Sequence, residues 1–193
     1  MSLPQLSISL SLLSILLATP IALLALYGLI RSEEFKGHLT AFPRSNSWGY
    51  LLMGISTVWF LYLVKMEDIS DFESYKRFMM FGFAGIGIGT TFFVRDLLAA
   101  RGAAVLMLLV AKLMVDTARW VDTDARLAIV VWAYVMVIAG MWFTISPWRM
   151  RDFLFWLSKS DRRLKGALCL LLTWSGFILV LAFSLYRTAS ASA

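Results

Sequence analysis

The chain has 193 residues, of which 60% are hydrophobic and 16% are charged, and its mean hydropathy is +0.77. A soluble domain usually has about a quarter of its residues charged, so this composition excludes an ordinary soluble globular protein. The formal net charge is +6. Because the basic residues gather in alternate connections between apolar segments, we attribute this charge to orientation in a membrane, and we expect no nucleic-acid partner.

Six apolar segments follow one another along the chain. A hydrocarbon core about 30 Å thick is crossed by about 20 helical residues, and lipid tolerates only helices or closed barrels as spanning structures. The apolar runs are continuous and do not alternate, which favours helices. The sequence therefore predicts a polytopic integral membrane protein with one all-α domain over residues 1–193. This domain is a six-helix transmembrane bundle with spans at about 7–30, 48–64, 78–94, 102–120, 127–145 and 164–186.

Lys and Arg are unevenly distributed between the two sides of this predicted bundle. The first, third and fifth connections hold eleven of them, the other side with the termini holds six, and Lys112 lies inside a span. Cytoplasmic loops of membrane proteins carry the excess of basic residues. We therefore predict that the odd-numbered connections are cytoplasmic and that both termini lie outside. The short connections favour a bacterial inner membrane.

The fifth connection has the pattern of an amphipathic helix over about 149–160. Apolar residues recur there at i, i+3, i+4 and i+7, which is typical of a helix lying in the cytoplasmic-side membrane interface. Such a helix could anchor the fifth and sixth spans or recognise anionic lipid. The apolar residues are Met150, Phe153, Leu154 and Leu157. The basic residues predicted at this interface are Arg149, Arg151, Lys159, Arg162 and Arg163.

Three more charged residues, Arg95, Asp96 and Arg101, lie where the third and fourth spans meet the cytoplasm. Charges at the end of a span usually anchor it in the headgroup region, and Asp96 could close a turn with Arg101. The alternative is a substrate-binding role for these residues in a lipid-modifying enzyme that works at the inner interface.

The third span is rich in glycine. Gly85 and Gly89 are about one helical turn apart, and Gly82 lies close to the same face. Small residues at this spacing let another helix backbone approach closely, and such packing drives helix association in lipid. We predict a helix-packing face here. The alternative is a flexible or unwound helix that gates a pathway.

The fourth span contains charged residues. Lys112 and Asp116 are four residues apart and share a helix face, and Arg119 follows three residues later. A charge at membrane depth is costly, so it faces protein, a partner or a water-filled cavity. The three residues form either a local ion-paired group near the outer interface or a polar patch. Such a patch would bind a proton, an ion, a headgroup or a neighbouring subunit.

We predict no catalytic site and no metal site. His38 is the only histidine and Cys169 the only cysteine, so a zinc site or a histidine-based catalytic relay would lack its partners. No cofactor is predicted, although the many aromatic side chains could stack on a bound lipid, quinone or pigment.

Three functions are compatible with these patterns. The first is a non-catalytic integral subunit, or an assembly or scaffold factor, of a larger membrane complex, with membrane lipids and other membrane subunits or copies of itself as partners. The second is a small transporter or channel that uses the intramembrane Lys–Asp patch. The third is a lipid-modifying membrane enzyme. The absence of a catalytic set in the sequence favours the first.

Overall fold

The computed structural model describes residues 9–67, 75–94, 96–121 and 123–191. These ranges contain eight α-helices and one short 3-10 turn, Phe42–Arg44, and they contain no strand. The prediction of an all-α chain is confirmed. The helices are α1 (Leu10–Ile30), α2 (Ser32–Ala41), α3 (Asn46–Met66), α4 (Lys76–Phe93), α5 (Leu98–Arg119), α6 (Arg126–Ile145), α7 (Pro147–Ser158) and α8 (Asp161–Ala191).

Five of these helices are long and apolar enough to cross a membrane: α1, α3, α5, α6 and the Asp161–Ser184 part of α8. They coincide with five of the six predicted spans, and the chain is therefore a membrane protein. The predicted third span falls on α4, which has 18 residues. The helix α4 is not among the five helices that are apolar enough to cross, and its four glycines with Lys76 and Arg77 lower its hydropathy.

The largest apolar core lies between α1, α5, α6 and α8. Most of its buried members are small or medium-sized side chains, which let the helix backbones approach closely in lipid. Its buried residues are Leu10, Leu13 and Ala18 of α1, Ala111, Met114 and Ala118 of α5, Ile129 and Ala133 of α6, and Ile178 and Ala182 of α8.

The helices pack in a definite order. The first and last spans, α1 and α8, pack along each other, and α6 packs along α5. The other side of α5 packs against α3, which in turn packs against α4. Gly49 of α3 meets Leu98 near the start of α5, and Gly102 of α5 meets Met53 further along α3, so these two helices run parallel. Because α4 packs mainly on α3, it lies at the edge of the bundle.

The helix α4 runs antiparallel to α3. The Lys76 Nζ atom at the start of α4 donates to the Glu67 carbonyl just after α3, at 2.7 Å. Further along α4, the Phe83 ring meets the Phe60 ring edge-on, with centroids 5.0 Å apart. From the first contact to the second, the residue numbers rise along α4 and fall along α3. The two helices therefore form a helical hairpin.

One end of the bundle is closed by α2 and α7. Phe35 of α2 is buried against Leu164 and Leu168 of α8. Met150 of α7 is buried against Leu97 and Ala100 at the start of α5. The connections that follow α1, α4 and α6 therefore meet at the same end. The sequence indicated only a polar connection in the region of α2. This short helix has one buried residue, Phe35, so its sequence shows no apolar periodicity that would predict a helix.

The helix α7 covers most of the region in which an amphipathic helix was predicted. Met150 is buried, and Leu154 and Leu157 pack against the two clusters at this end of the bundle. Phe153, predicted on the same apolar face, is 50% exposed. The apolar residues of α7 therefore divide between contacts within the chain and an exposed aromatic surface.

Leu97 joins α4 to α5 through an unusual backbone conformation. Its φ angle is 55°, in the left-handed region that costs a residue with a β-carbon roughly 1–2 kcal/mol. The side chain is buried with Ala100 and Met150, and this burial offsets the cost. The tight turn brings α5 directly back into the bundle.

Candidate functional site

The charged pair on α5 is formed as the spacing predicted. The Lys112 Nζ atom donates to the Asp116 Oδ2 atom at 2.9 Å. The side chains are 44% and 38% exposed, respectively. This exposure shows that neither side chain is enclosed by the chain's own helices.

The pair lies on the outside of the bundle, well inside the helix. The buried residues Ala111, Met114 and Ala118 occupy the opposite side of α5. At 1.5 Å of rise per residue, Lys112 lies about 10 Å before the end of α5 and Asp116 about 4 Å before it. If the helix end marks the membrane interface, both side chains lie at a depth where lipid surrounds the bundle.

Arg119 does not join the pair. In the described part of the chain no ion pair links Arg119 to Asp116, and the Arg119 side chain is exposed. The end of α5 is held by Arg126, whose Nη1 atom donates to the Val121 carbonyl at 2.8 Å and to the Arg119 carbonyl at 3.4 Å. A basic side chain at a helix C-terminus satisfies carbonyls that the helix leaves free. Arg119 therefore contributes its backbone carbonyl to the end of α5, and its side chain is not part of the Lys112–Asp116 pair.

A groove of about 270 Å³ runs along another face of α5. Its wall is almost entirely apolar, so it offers an ion or a polar solute no hydrogen-bonding route. Lys112 and Asp116 do not line it. The lining residues are Phe42, Trp48, Leu52, Ala103, Leu106, Met107, Val110 and Met136.

The predicted glycine face of α4 points away from the rest of the chain. A β-carbon added at Gly82, Gly85 or Gly89 would meet no described atom within 4 Å. The glycine that α3 contacts is Gly87, where an added β-carbon would lie 2.5 Å from the Thr57 Cγ2 atom. The helix-packing role of the first three glycines therefore stays a prediction, and it would require a helix from outside the chain.

Four further glycines, Gly28, Gly49, Gly102 and Gly140, form close contacts that sequence reasoning did not identify. A β-carbon at Gly102 would lie 2.8 Å from the Met53 backbone nitrogen, and one at Gly140 would lie 2.9 Å from the Leu108 Cδ2 atom. Gly49 makes the matching approach to Leu98. The Ser56 hydroxyl donates to the Gly102 carbonyl at 3.2 Å and fixes the same crossing. The sequence feature that could have indicated these contacts is a single glycine within an apolar span.

Of the charged group predicted between α4 and α5, the structure describes Asp96 and Arg101. Arg95 lies outside the described residues. Asp96 is exposed, and no ion pair joins it to Arg101 within the described ranges. The Arg101 Nε atom is buried and has no hydrogen-bond partner among the described residues. The turn between Asp96 and Arg101 is formed instead by the backbone, through the Arg101 N–H donating to the Leu97 carbonyl at 3.1 Å.

Basic residues crowd the end of the bundle at α7 and α8. Arg151 is paired with Asp152, with Nη2 and Oδ1 2.8 Å apart. Lys36 of α2 is paired with both Asp161 and Glu33, and these hydrogen bonds, that from Asp161 first, raise the pKa of Lys36 above its usual value. Between residues 147 and 165, the basic residues with no acidic partner among the described residues are Arg149, Lys159, Arg162, Arg163 and Lys165.

The described residues contain no group of three or more His, Cys, Asp or Glu placed to hold a metal ion. The hydroxyls of Thr173 and Ser175 donate to carbonyls of their own helix, which is usual for hydroxyls within a span. No family model, curated protein sequence or solved structure matches this chain.

Proposed function

We propose that this protein is a non-catalytic integral subunit, or an assembly factor, of a larger membrane complex. We propose further that the face of α5 carrying Lys112 and Asp116 docks against a helix of a partner. The observation that supports this is the position of the ion pair, which lies on the outer surface of the bundle about 4–10 Å inside the end of α5.

Lipid would leave hydrogen-bonding groups of this pair without partners. A lysine ammonium has three N–H donors and an aspartate carboxylate has two acceptor oxygens, and the ion pair uses one donor of Lys112 and one oxygen of Asp116. Charged groups at membrane depth are stable when they are paired and face protein. A partner helix with a hydroxyl, amide or charged side chain would satisfy the remaining groups.

The same proposal includes a sixth crossing, by α4. Its 18 residues rise about 27 Å, close to the thickness of the hydrocarbon core. The hairpin contacts with α3 align α4 along a helix that is itself a span. In this arrangement the exposed glycines Gly82, Gly85 and Gly89 face lipid or a second partner helix.

The proposed orientation has the α2 and α7 end of the bundle in the cytoplasm, with α7 in the membrane interface. The basic residues exceed the acidic ones at this end, as the rule for cytoplasmic loops requires. With six crossings both termini lie outside. A bacterial inner membrane suits the short connections.

The test is native mass spectrometry of the full-length protein, extracted from its own membranes in a mild detergent. We expect the wild type in a defined assembly with other polypeptides, and a monomer or a small homo-oligomer carrying nothing else would contradict the subunit proposal. The Lys112→Leu/Asp116→Leu variant should run mainly as a monomer with an unchanged melting temperature. The matched control is Val135→Leu/Ile138→Leu, at two exposed positions of α6, which should leave the assembly intact.

A charge exchange sharpens the test. The Lys112→Asp/Asp116→Lys variant keeps a local ion pair but reverses its direction along the helix, so a partner that contacts both charges should be lost. If this variant assembles like the wild type, or if the wild type carries no partner, the docking proposal is contradicted. If the Lys112 and Asp116 variants assemble like the wild type but lose solute flux in proteoliposomes, the transporter or channel hypothesis is favoured. In that case the ion pair would line a path between copies of this protein.

A further inference from the structure

A second surface lies at the other end of the molecule, where α7 meets α8. The Arg163 guanidinium carbon lies 4.7 Å from the centre of the Trp156 ring. The Trp156 ring is in turn stacked on the Phe153 ring, with centroids 6.1 Å apart and planes 23° apart. The Arg163 guanidinium therefore lies against the aromatic pair on the surface of the bundle.

The charge around this aromatic pair is strongly unbalanced. Residues 147–165 contain six basic and two acidic side chains. Both carboxylates are already engaged, Asp152 by Arg151 and Asp161 by Lys36. Arg162 and Arg163 are exposed and have no acidic partner among the described residues. This surface therefore has unneutralised positive charge, which an anion would neutralise.

The exposed apolar groups beside these charges indicate what carries the anion. Trp156 and Phe153 are each about half exposed, and Arg149 lies on the same stripe of α7 because 149, 153 and 156 are at i, i+4 and i+7. Aromatic rings next to basic groups are typical of surfaces in the headgroup region of a bilayer. A soluble anion would leave the rings uncovered, whereas a lipid covers rings and charges together.

We propose that the corner formed by Arg149, Trp156, Arg162 and Arg163 is a binding site for the headgroup of an anionic phospholipid. The Arg163 guanidinium beside Trp156 binds the headgroup phosphate, Arg162 at the start of the same helix adds positive charge, and Trp156 with Phe153 contacts the glycerol and upper acyl region. Arg149 binds a second anionic oxygen of the headgroup. This site is independent of the α5 docking face, and either can fail without the other.

The site is tested by native mass spectrometry of the full-length protein titrated with phosphatidylglycerol and with phosphatidylcholine of the same acyl chains. We expect a preference for phosphatidylglycerol in the wild type. Removing two basic groups with Arg162→Ala/Arg163→Ala should weaken phosphatidylglycerol binding by roughly thirtyfold and leave phosphatidylcholine binding unchanged. The matched control, Lys65→Ala/Arg119→Ala, removes two basic residues from the ends of α3 and α5 at the opposite end of the bundle and should keep the preference.

A milder variant guards against misfolding. Trp156→Leu keeps an apolar side chain but removes the ring beneath Arg163, and it should weaken phosphatidylglycerol binding by roughly two- to fivefold. Three results would overturn the proposal. The first is a wild type that does not prefer the anionic lipid. The second is an arginine double variant that binds this lipid as well as the control does. The third is displacement of bound lipid by millimolar glycerol phosphate, which would make the corner a site for free anions.

Discussion

Gly102 is the residue at which the backbones of α3 and α5 come into close contact. An added β-carbon there would lie 2.8 Å from the Met53 backbone nitrogen and 2.9 Å from the Leu52 Cβ atom. Backbone cannot rotate aside as a side chain can, so α3 and α5 would have to separate. The hydrogen bond from Ser56 to the Gly102 carbonyl would be strained by the same movement.

We therefore expect Gly102→Ala to lower the free energy of unfolding by about 1–3 kcal/mol, the usual cost of overpacking. The measurement is unfolding of the detergent-solubilised protein with increasing SDS. Gly54 on α3 is the control, because an added β-carbon there meets no described atom within 4 Å. Gly54→Ala should be neutral or stabilise by up to about 1 kcal/mol. Equal losses at the two positions would show that the crossing is looser than described.

At the scale of elements, a single lysine links α2 to the start of α8. The Lys36 side chain is 19% exposed and donates to Asp161 and to Glu33. The hydrogen bond from Lys36 to Asp161 is the largest cause of its raised pKa, with that to Glu33 next. A group with a raised pKa contributes its stabilisation fully below the ordinary value of 10.5 and loses it as the pH rises through the folded-state value.

The Lys36→Met variant should therefore melt at a lower temperature than the wild type by an amount that is constant between pH 7 and pH 9. The difference should shrink only above the ordinary lysine pKa. Lys159→Met, at an exposed lysine near the same end, should melt like the wild type throughout. A difference that already declines between pH 7 and pH 9 would mean that another group controls this contact.

The helix α5 illustrates what its sequence predicted and what it left undetermined. The four-residue spacing of Lys112 and Asp116 predicted their pairing, because i and i+4 are neighbours on any helix. Its buried alanines Ala104, Ala111 and Ala118 recur every seventh residue, which marks one face of a helix. Neither pattern says which helix that face contacts. That choice depends on shape complementarity between spans, which hydropathy does not contain.

The glycines of α4 show the same limit. Their spacing predicted a packing face, yet the structure directs Gly87 toward α3 and leaves Gly82, Gly85 and Gly89 open. In lipid, apolar burial does not distinguish one helix face from another, so small residues alone do not identify the neighbour. The polar helix α2 was missed for a related reason, since it is held by one buried phenylalanine and by contacts distant in sequence.

For the whole molecule, the decisive question is how many times the chain crosses the membrane. Glu67 follows α3 and Asp96 follows α4. If α4 crosses, these two positions lie on opposite sides, and if it does not, they lie on the same side. The hairpin of α3 and α4 predicts opposite sides.

We expect Glu67→Cys to react with a membrane-impermeant maleimide only from outside the cell, and Asp96→Cys only in inverted vesicles. Both substitutions are made in a Cys169→Ala background, because Cys169 is exposed on α8. Thr123→Cys, between α5 and α6, serves as a reference for the outer side. Labelling of Glu67→Cys and Asp96→Cys from the same side would establish five crossings and reverse the orientation of part of the chain.

The pairing of α1 with α8 has a consequence for the biogenesis of the protein. The ribosome makes α1 long before α8, so α1 must stay in the bilayer without this neighbour until α8 is inserted. The helix α1 is stable in lipid without this neighbour, because it carries no charged residue between Leu10 and Ile30. Its buried serine, Ser14, already donates to the Leu10 carbonyl of its own helix. Pairing of α1 with α8 is therefore a late step that follows insertion of α2 to α7, and a nascent chain released before α8 would leave α1 available to quality-control proteases.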